Sequence, residues 1–122
     1  MYKDFQELPV WQLAMNIAVE IFNLTESLPR KEDYGLTSQI RRSALSISDN
    51  IAEGFGRSHT ADKSKFYIYS RASANETKNQ LIYGTKVGYF NEEKVTMLIN
   101  IVNNIIESLN KLIKSLNAQP QP

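Results

Sequence analysis

Residues 91–116 read NEEKVTMLINIVNNIIESLNKLIKSL, and their spacing decides the fold class. Val95, Leu98, Ile99, Val102, Ile105, Ile106, Leu109, Leu112, Ile113 and Leu116 keep a three-in-seven repeat, the period of a helix with one apolar face and not the alternation of a strand. Asn91 stands where a side-chain oxygen can accept the free N–H groups of a first turn, and Glu92 and Glu93 suit the positive end of the helix dipole. A helix of this kind needs other apolar faces to cover it.

Three such faces precede it. From about Leu8 to Leu28, Val10, Leu13, Ile17, Ile21, Leu24 and Leu28 share a side, with Pro9 placed where its missing N–H is not needed and Pro29 closing the segment. From Tyr34–Leu36 to Gly54, the stripe is Leu36, Ile40, Ala44, Ile47 and Ile51. A third helix is expected after Ser58 or Thr60, either of which suits the N-cap, and continues to about Tyr89. It carries two stripes: Phe66, Ser70, Ala74, Thr77, Leu81, Gly84 and Gly88 on one, Tyr69, Ala72, Glu76, Tyr83 and Val87 on the other. Four helices with three short connections predict an all-α, antiparallel up-down-up-down four-helix bundle over residues 1–117, followed by a polar, disordered tail at 118–122.

Composition narrows the function classes. At 122 residues, 42% hydrophobic and 22% charged, the chain has the balance of one globular domain. It has no cysteine, so disulfides, thiolate metal sites and cysteine nucleophiles are excluded. No apolar run reaches the roughly 20 residues of a membrane span. MYKDFQELPVW at the start lacks the basic and apolar regions of a signal peptide, and a cytoplasmic location is expected. Net charge is +1, but residues 1–56 balance at −3 and residues 57–90 at +4. Arg57, Lys63, Lys65, Arg71, Lys78 and Lys86, with Arg41 and Arg42, are therefore candidates for a nucleic-acid or partner surface.

Helix 1 has more apolar surface than one stripe requires. Trp11, Met15, Ala18 and Phe22, with Leu45 and Ala52 of helix 2, lie off the core stripes and are candidates for a subunit interface. Chemistry is sparse by comparison. His59 is the only histidine, so no histidine-rich metal site or His-dependent relay is expected within one chain. Asp49 and Glu53 share a face with Arg42 and read, with Glu76, as an ion-pair network rather than as catalytic carboxylates. GFGR at 54–57 lacks the context of a dinucleotide or phosphate loop. Gly54 fits a left-handed residue ending helix 2, with Phe55 folded back. No enzyme activity, cofactor or small-molecule substrate is expected.

LPVWQLA (8–14), YGLTSQIRRSALSISDNIAEGFGR (34–57), FYIYSRASANETKNQL (66–81) and VGYF (87–90) together resemble the four-helix-bundle family encoded by 23S rRNA intervening sequences, over roughly residues 5–115. The most specific part is Tyr34-Gly35-Leu36, then Gln39-Ile40-Arg41-Arg42, then Asn50-Ile51-Ala52-Glu53-Gly54 with Gly56-Arg57. In place of the family's usual Gly-Ser pair, this chain has Ala72-Ser73, followed by Glu76. The resemblance implies a bacterial antiparallel bundle that forms a ring-like homopentamer and whose biochemical role is unknown. It also implies kinship with accessory proteins of diversity-generating retroelements, in which a basic pentamer binds reverse transcriptase and nucleic acid. The function expected is thus a non-enzymatic homo-oligomeric scaffold for RNA, DNA or a nucleic-acid enzyme. The alternative is a protein-interaction module that binds no nucleic acid.

Overall fold

The computed structural model describes residues 1–119. Four helices follow in order: α1 (Pro9–Thr25), α2 (Leu36–Phe55), α3 (Thr60–Lys86) and α4 (Glu92–Asn117). Each packs on two neighbours, α1 and α3 both lying against α2 and α4, which makes the four-helix bundle read from the periodicity. Of the tail expected at 118–122, Ala118 and Gln119 follow the end of α4, and residues 120–122 lie outside the described residues. No helix among the described residues is long and apolar enough to cross a membrane.

The core is where the stripes placed it. Val10, Ala14, Ile17 and Ile21 of α1, Leu36, Ile40, Ala44, Ile47 and Ile51 of α2, and Val95, Leu98, Val102, Ile105, Leu109 and Ile113 of α4 are buried together. Burying each of the valines, leucines and isoleucines among them stabilises the fold by about 1.5–3 kcal/mol. Leu13, Leu24 and Leu28 flank the core and are half-buried.

Helix boundaries follow local chemistry. Pro9 is the first residue of α1. Asn91 caps α4, its Oδ1 accepting the Lys94 N–H at 3.0 Å. The end of α1 comes at Thr25 rather than Leu28: Thr25 Oγ1 donates to the Phe22 carbonyl at 3.1 Å, and Arg41 Nη2 donates to the same carbonyl at 3.3 Å. These partners satisfy a carbonyl that another helical turn would have used. α3 starts after His59, which gives no side-chain cap; neither Ser58 nor Thr60 performs that role, and Thr60 Oγ1 is buried without a partner.

Gly54 is helical and buried inside α2, and the sole positive φ among the described residues belongs to Gly88, at 89°. The left-handed cap expected at Gly54 therefore sits one helix later. Gly88 N–H donates to the Thr85 carbonyl at 3.1 Å and Tyr89 N–H to the Gly84 carbonyl at 2.8 Å, the paired closure of a Schellman turn. It ends α3 at Lys86, short of the expected Tyr89. Gly54 is instead required by close approach. A Cβ there would lie 2.7 Å from Tyr67 Cε1 and 3.3 Å from the Lys63 carbonyl oxygen.

Candidate nucleic-acid interface on the third helix

The α2–α3 contact sets what α3 presents outward. Its inward residues are small or hydroxylated, so the two backbones approach closely and bond through side chains. Ser43 Oγ lies 2.8 Å from Thr77 Oγ1 and donates to Gln80 Oε1 at 2.6 Å. Ser46 and Ser73 meet at 2.9 Å, and Ser70 Oγ donates to the Ile47 carbonyl at 2.8 Å. Tyr67, not Phe66, is the aromatic that enters the core; Phe66 is half-buried, lying under the Arg57 guanidinium at 4.6 Å and edge-on to Tyr69. With this side committed inward, the second stripe faces out. Tyr69 is 46% exposed and Tyr83 51%, with Ile68, Ile82 and Val87 also exposed. Glu76 lies on the same face and is exposed, so no buried partner is demanded of it.

Apart from Arg42, the structure separates the basic candidates into three groups. Arg41 and Lys63 serve helix ends. Arg41 Nε donates to Thr25 Oγ1 at 2.7 Å, its plane covers the Phe22 ring at 4.3 Å, and Glu26 lies 3.8 Å away. Lys63 Nζ donates to the Phe55 and Gly54 carbonyls at 2.8 and 3.3 Å, a cation at the negative end of α2; partial burial holds its pKa below the ordinary lysine value. Arg57 and Lys65 sit at the start of α3, Arg57 paired with Glu53 at 3.1 Å and Lys65 over Tyr69 at 6.0 Å. Arg71 and Lys78 fall on one stripe about 10 Å apart, and Lys86 stands about 12 Å further along and nearly a quarter-turn around the helix. Arg71 Nη1 donates to Asn110 Oδ1 at 2.8 Å and Lys78 Nζ to Asn103 Oδ1 at 3.0 Å. These contacts steady two cations along the α3–α4 seam without neutralising them.

The ion-pair network expected from Arg42, Asp49, Glu53 and Glu76 is not assembled. Glu53 pairs with Arg57, and among the described residues Arg42, Asp49 and Glu76 form no ion pair. Arg42 and Asp49 stand almost two helical turns apart on α2, a gap the i,i+4 contact of Glu53 and Arg57 does not have to bridge. Asp49, Ala52, Glu53, Gly56 and Arg57 instead line an open depression at the end of α2. Among the described residues no group of three His, Asp or Glu side chains is arranged to hold a metal ion.

The candidate interface residues lie along α1 and α2. Phe22 is 49% and Leu45 48% exposed. In the antiparallel register fixed by Arg41 and Phe22, Leu45 stands one turn further along α2, level with Ala18. Met15, Ala18 and Ala52 are half-buried. Trp11 is turned toward the fold, edge-on to Phe5 at 5.4 Å and packed against the core.

Some residues carried no sequence signal. Glu32 Oε1 accepts the Leu36 N–H at 3.1 Å and its Oε2 the Tyr89 hydroxyl at 2.8 Å, so one carboxylate caps α2 and ties it to the α3–α4 turn. These two bonds, the backbone one first, hold Glu32 below its ordinary pKa, and the bond to Glu32 raises that of Tyr89. Gln80, Asn103 and Asn110 were also missed. The seven-residue spacing of the two asparagines, matching that of Arg71 and Lys78, was the signal available.

The family model described as 23S rRNA-intervening sequence protein matches residues 6–111. A solved structure from the S23 ribosomal protein family of Bacteroides thetaiotaomicron, a protein of unknown function, is 25% identical. It superposes with a TM-score of 0.78, over 86% of this chain and 98% of that one. No curated protein matches the chain.

Proposed function

The chain belongs to the 23S rRNA-intervening sequence protein family, and on that premise we propose that it is a non-enzymatic, homo-oligomeric scaffold that holds single-stranded nucleic acid on the outer face of α3. The observation that carries this reading is the composition of that face. Tyr69 and Tyr83, about 21 Å apart along the helix, offer flat rings to solvent on the α2 side of that face, Arg71 and Lys78 border it on the α4 side, and Lys86 stands between the two edges. Exposed aromatics next to spaced cations are what single-strand binding uses: bases stack on the rings while phosphates meet the charges. Self-association is supported by Phe22 and Leu45, apolar side chains left open on the α1–α2 face, and a ring multiplies one weak site through effective concentration. The non-enzymatic reading is supported by the depression at Asp49, Glu53 and Arg57, where one carboxylate is already paired and no nucleophile stands beside the other.

The test is binding of a labelled single-stranded RNA octamer followed by fluorescence anisotropy across a salt series. Three phosphate contacts per protomer give a log–log slope of about −2, and replacing Arg71, Lys78 and Lys86 by alanine should flatten it. No binding at low salt would refute the nucleic-acid half. Light scattering tests the other half: a pentamer has five times the 13.9 kDa of one chain, and Phe22→Asp should lower that mass. A wild-type mass of one chain would end the scaffold reading.

A further inference from the structure

A groove runs between α2 and α3 on the side of α3 away from the Arg71–Lys78 stripe. Two adjoining depressions form it, sharing Gln39 and Glu76 in their walls. Arg42 stands on the α2 wall, and Asn79 and Tyr83 on the α3 wall. Gln80 forms the floor, only 7% exposed, with its Oε1 held by Ser43. The other polar atom of that amide has no protein partner among the described residues, whichever way the amide is turned. Arg42 and Glu76, a cation and a carboxylate on facing helices, are paired neither with each other nor with any other charged side chain. Arg41, Arg57, Lys63, Arg71 and Lys78 are engaged by neighbouring groups. Arg42 and Glu76, facing each other across the groove, are not.

We propose that the α2–α3 groove is a pocket for one unpaired guanine base. The chemistry of its walls selects that base. Guanine offers two acceptors, O6 and N7, which a guanidinium such as that of Arg42 bonds in bidentate fashion. Its N1–H and exocyclic amine are two donors on the adjoining edge, suited to a carboxylate such as Glu76. A cation and an anion held apart across a groove match a ligand carrying complementary groups on separate edges. They do not match a simple anion, which Glu76 would repel. Tyr83 supplies the ring on which an unstacked base rests, and the Gln80 amide supplies a polar contact at the bottom. Adenine presents an amine where Arg42 needs an acceptor and a bare ring nitrogen where Glu76 needs a donor, so it is disfavoured at both walls.

This pocket rests on the nucleic-acid reading above, and Tyr83 joins the two surfaces, so a strand crossing α3 can place a single base in the groove. The test uses the full chain and octamers of uridine with one central guanosine, adenosine or inosine, at fixed salt. The guanosine octamer should bind about tenfold more tightly than the adenosine one, with inosine, which lacks the exocyclic amine, between them. Glu76→Gln should abolish most of that preference, and Arg42→Ala should do so from the other edge, both with unchanged melting temperature and salt slope. Alanine at Arg71 should weaken all three octamers alike. Equal binding of guanosine and adenosine with a normal salt slope would overturn the pocket and leave the backbone reading standing. Retention of the preference in both groove variants would also overturn it, and failure of every octamer to bind at low salt would overturn both.

Discussion

Gly54→Ala sets two known effects against each other, and the structure says which wins. In an unobstructed helix the substitution stabilises by roughly 0.5–1 kcal/mol, because glycine loses more backbone freedom on folding. At this position the added methyl lies 2.7 Å from Tyr67 Cε1 and 3.0 Å from Cδ1, short of the ~3.5–4.0 Å optimum between carbons by about 1 Å. Tyr67 cannot swing aside, since only 5% of it is exposed, and the Lys63 carbonyl oxygen at 3.3 Å is backbone. Overpacking of this kind costs about 1–3 kcal/mol. The net expectation is a destabilisation of about 1 kcal/mol, a fall in Tm of about 4 °C for a chain of this size. Urea and thermal melts monitored by circular dichroism measure it. The cause is checked by Tyr67→Leu, which should cost less in the Gly54→Ala background than in the wild type, giving a coupling near 1 kcal/mol. A Gly54→Ala protein as stable as the wild type, or more stable, would refute the close-approach reading.

Three other outcomes are expected. Gly88→Ala meets no atom within 4 Å but must adopt φ 89°, so it should lose about 1 kcal/mol in the same melts through backbone strain alone. Thr77→Val removes a buried hydroxyl that meets Ser43 at 2.8 Å and donates to the Ser73 carbonyl at 2.9 Å; the denaturation midpoint should report a loss of about 1–3 kcal/mol, and a neutral result would mean the seam contributes only packing. Because Glu32 has a lowered folded pKa, its contribution is present above the unfolded value of 4.5 and lost as pH falls through the lower folded one. Tyr89 has the opposite sign: its contribution is present below pH 10.0 and lost as pH rises through its raised value. Glu32→Gln should therefore flatten the acid limb of a stability–pH profile, and an unchanged acid limb would contradict the role of Glu32 as a cap tied to Tyr89.

What could be read from the residues depended on whether one helix or two supplied the answer. The apolar period of α4, the Asn91 cap and Pro9 as a first residue are properties of one segment, and each stands where it was expected. Gly54 and Gly88 differ in nothing local; which is tight and which left-handed is decided by Tyr67 opposite the first and by chain reversal at the second. The arginines and lysines divide in the same way. Arg41 and Lys63 look like their neighbours until the adjoining helix end comes within reach, and Glu53 turns to Arg57 because that partner is one turn away. α3 joins the two levels. Its serines, alanine and threonine are small because α2 lies close, and burying them leaves its tyrosines at 69 and 83 to face solvent. Those rings add little to the stability of a single chain, which leaves them open to the strand proposed to bind there. The close α2–α3 contact and the open face of α3 are thus two results of one pattern of residue sizes.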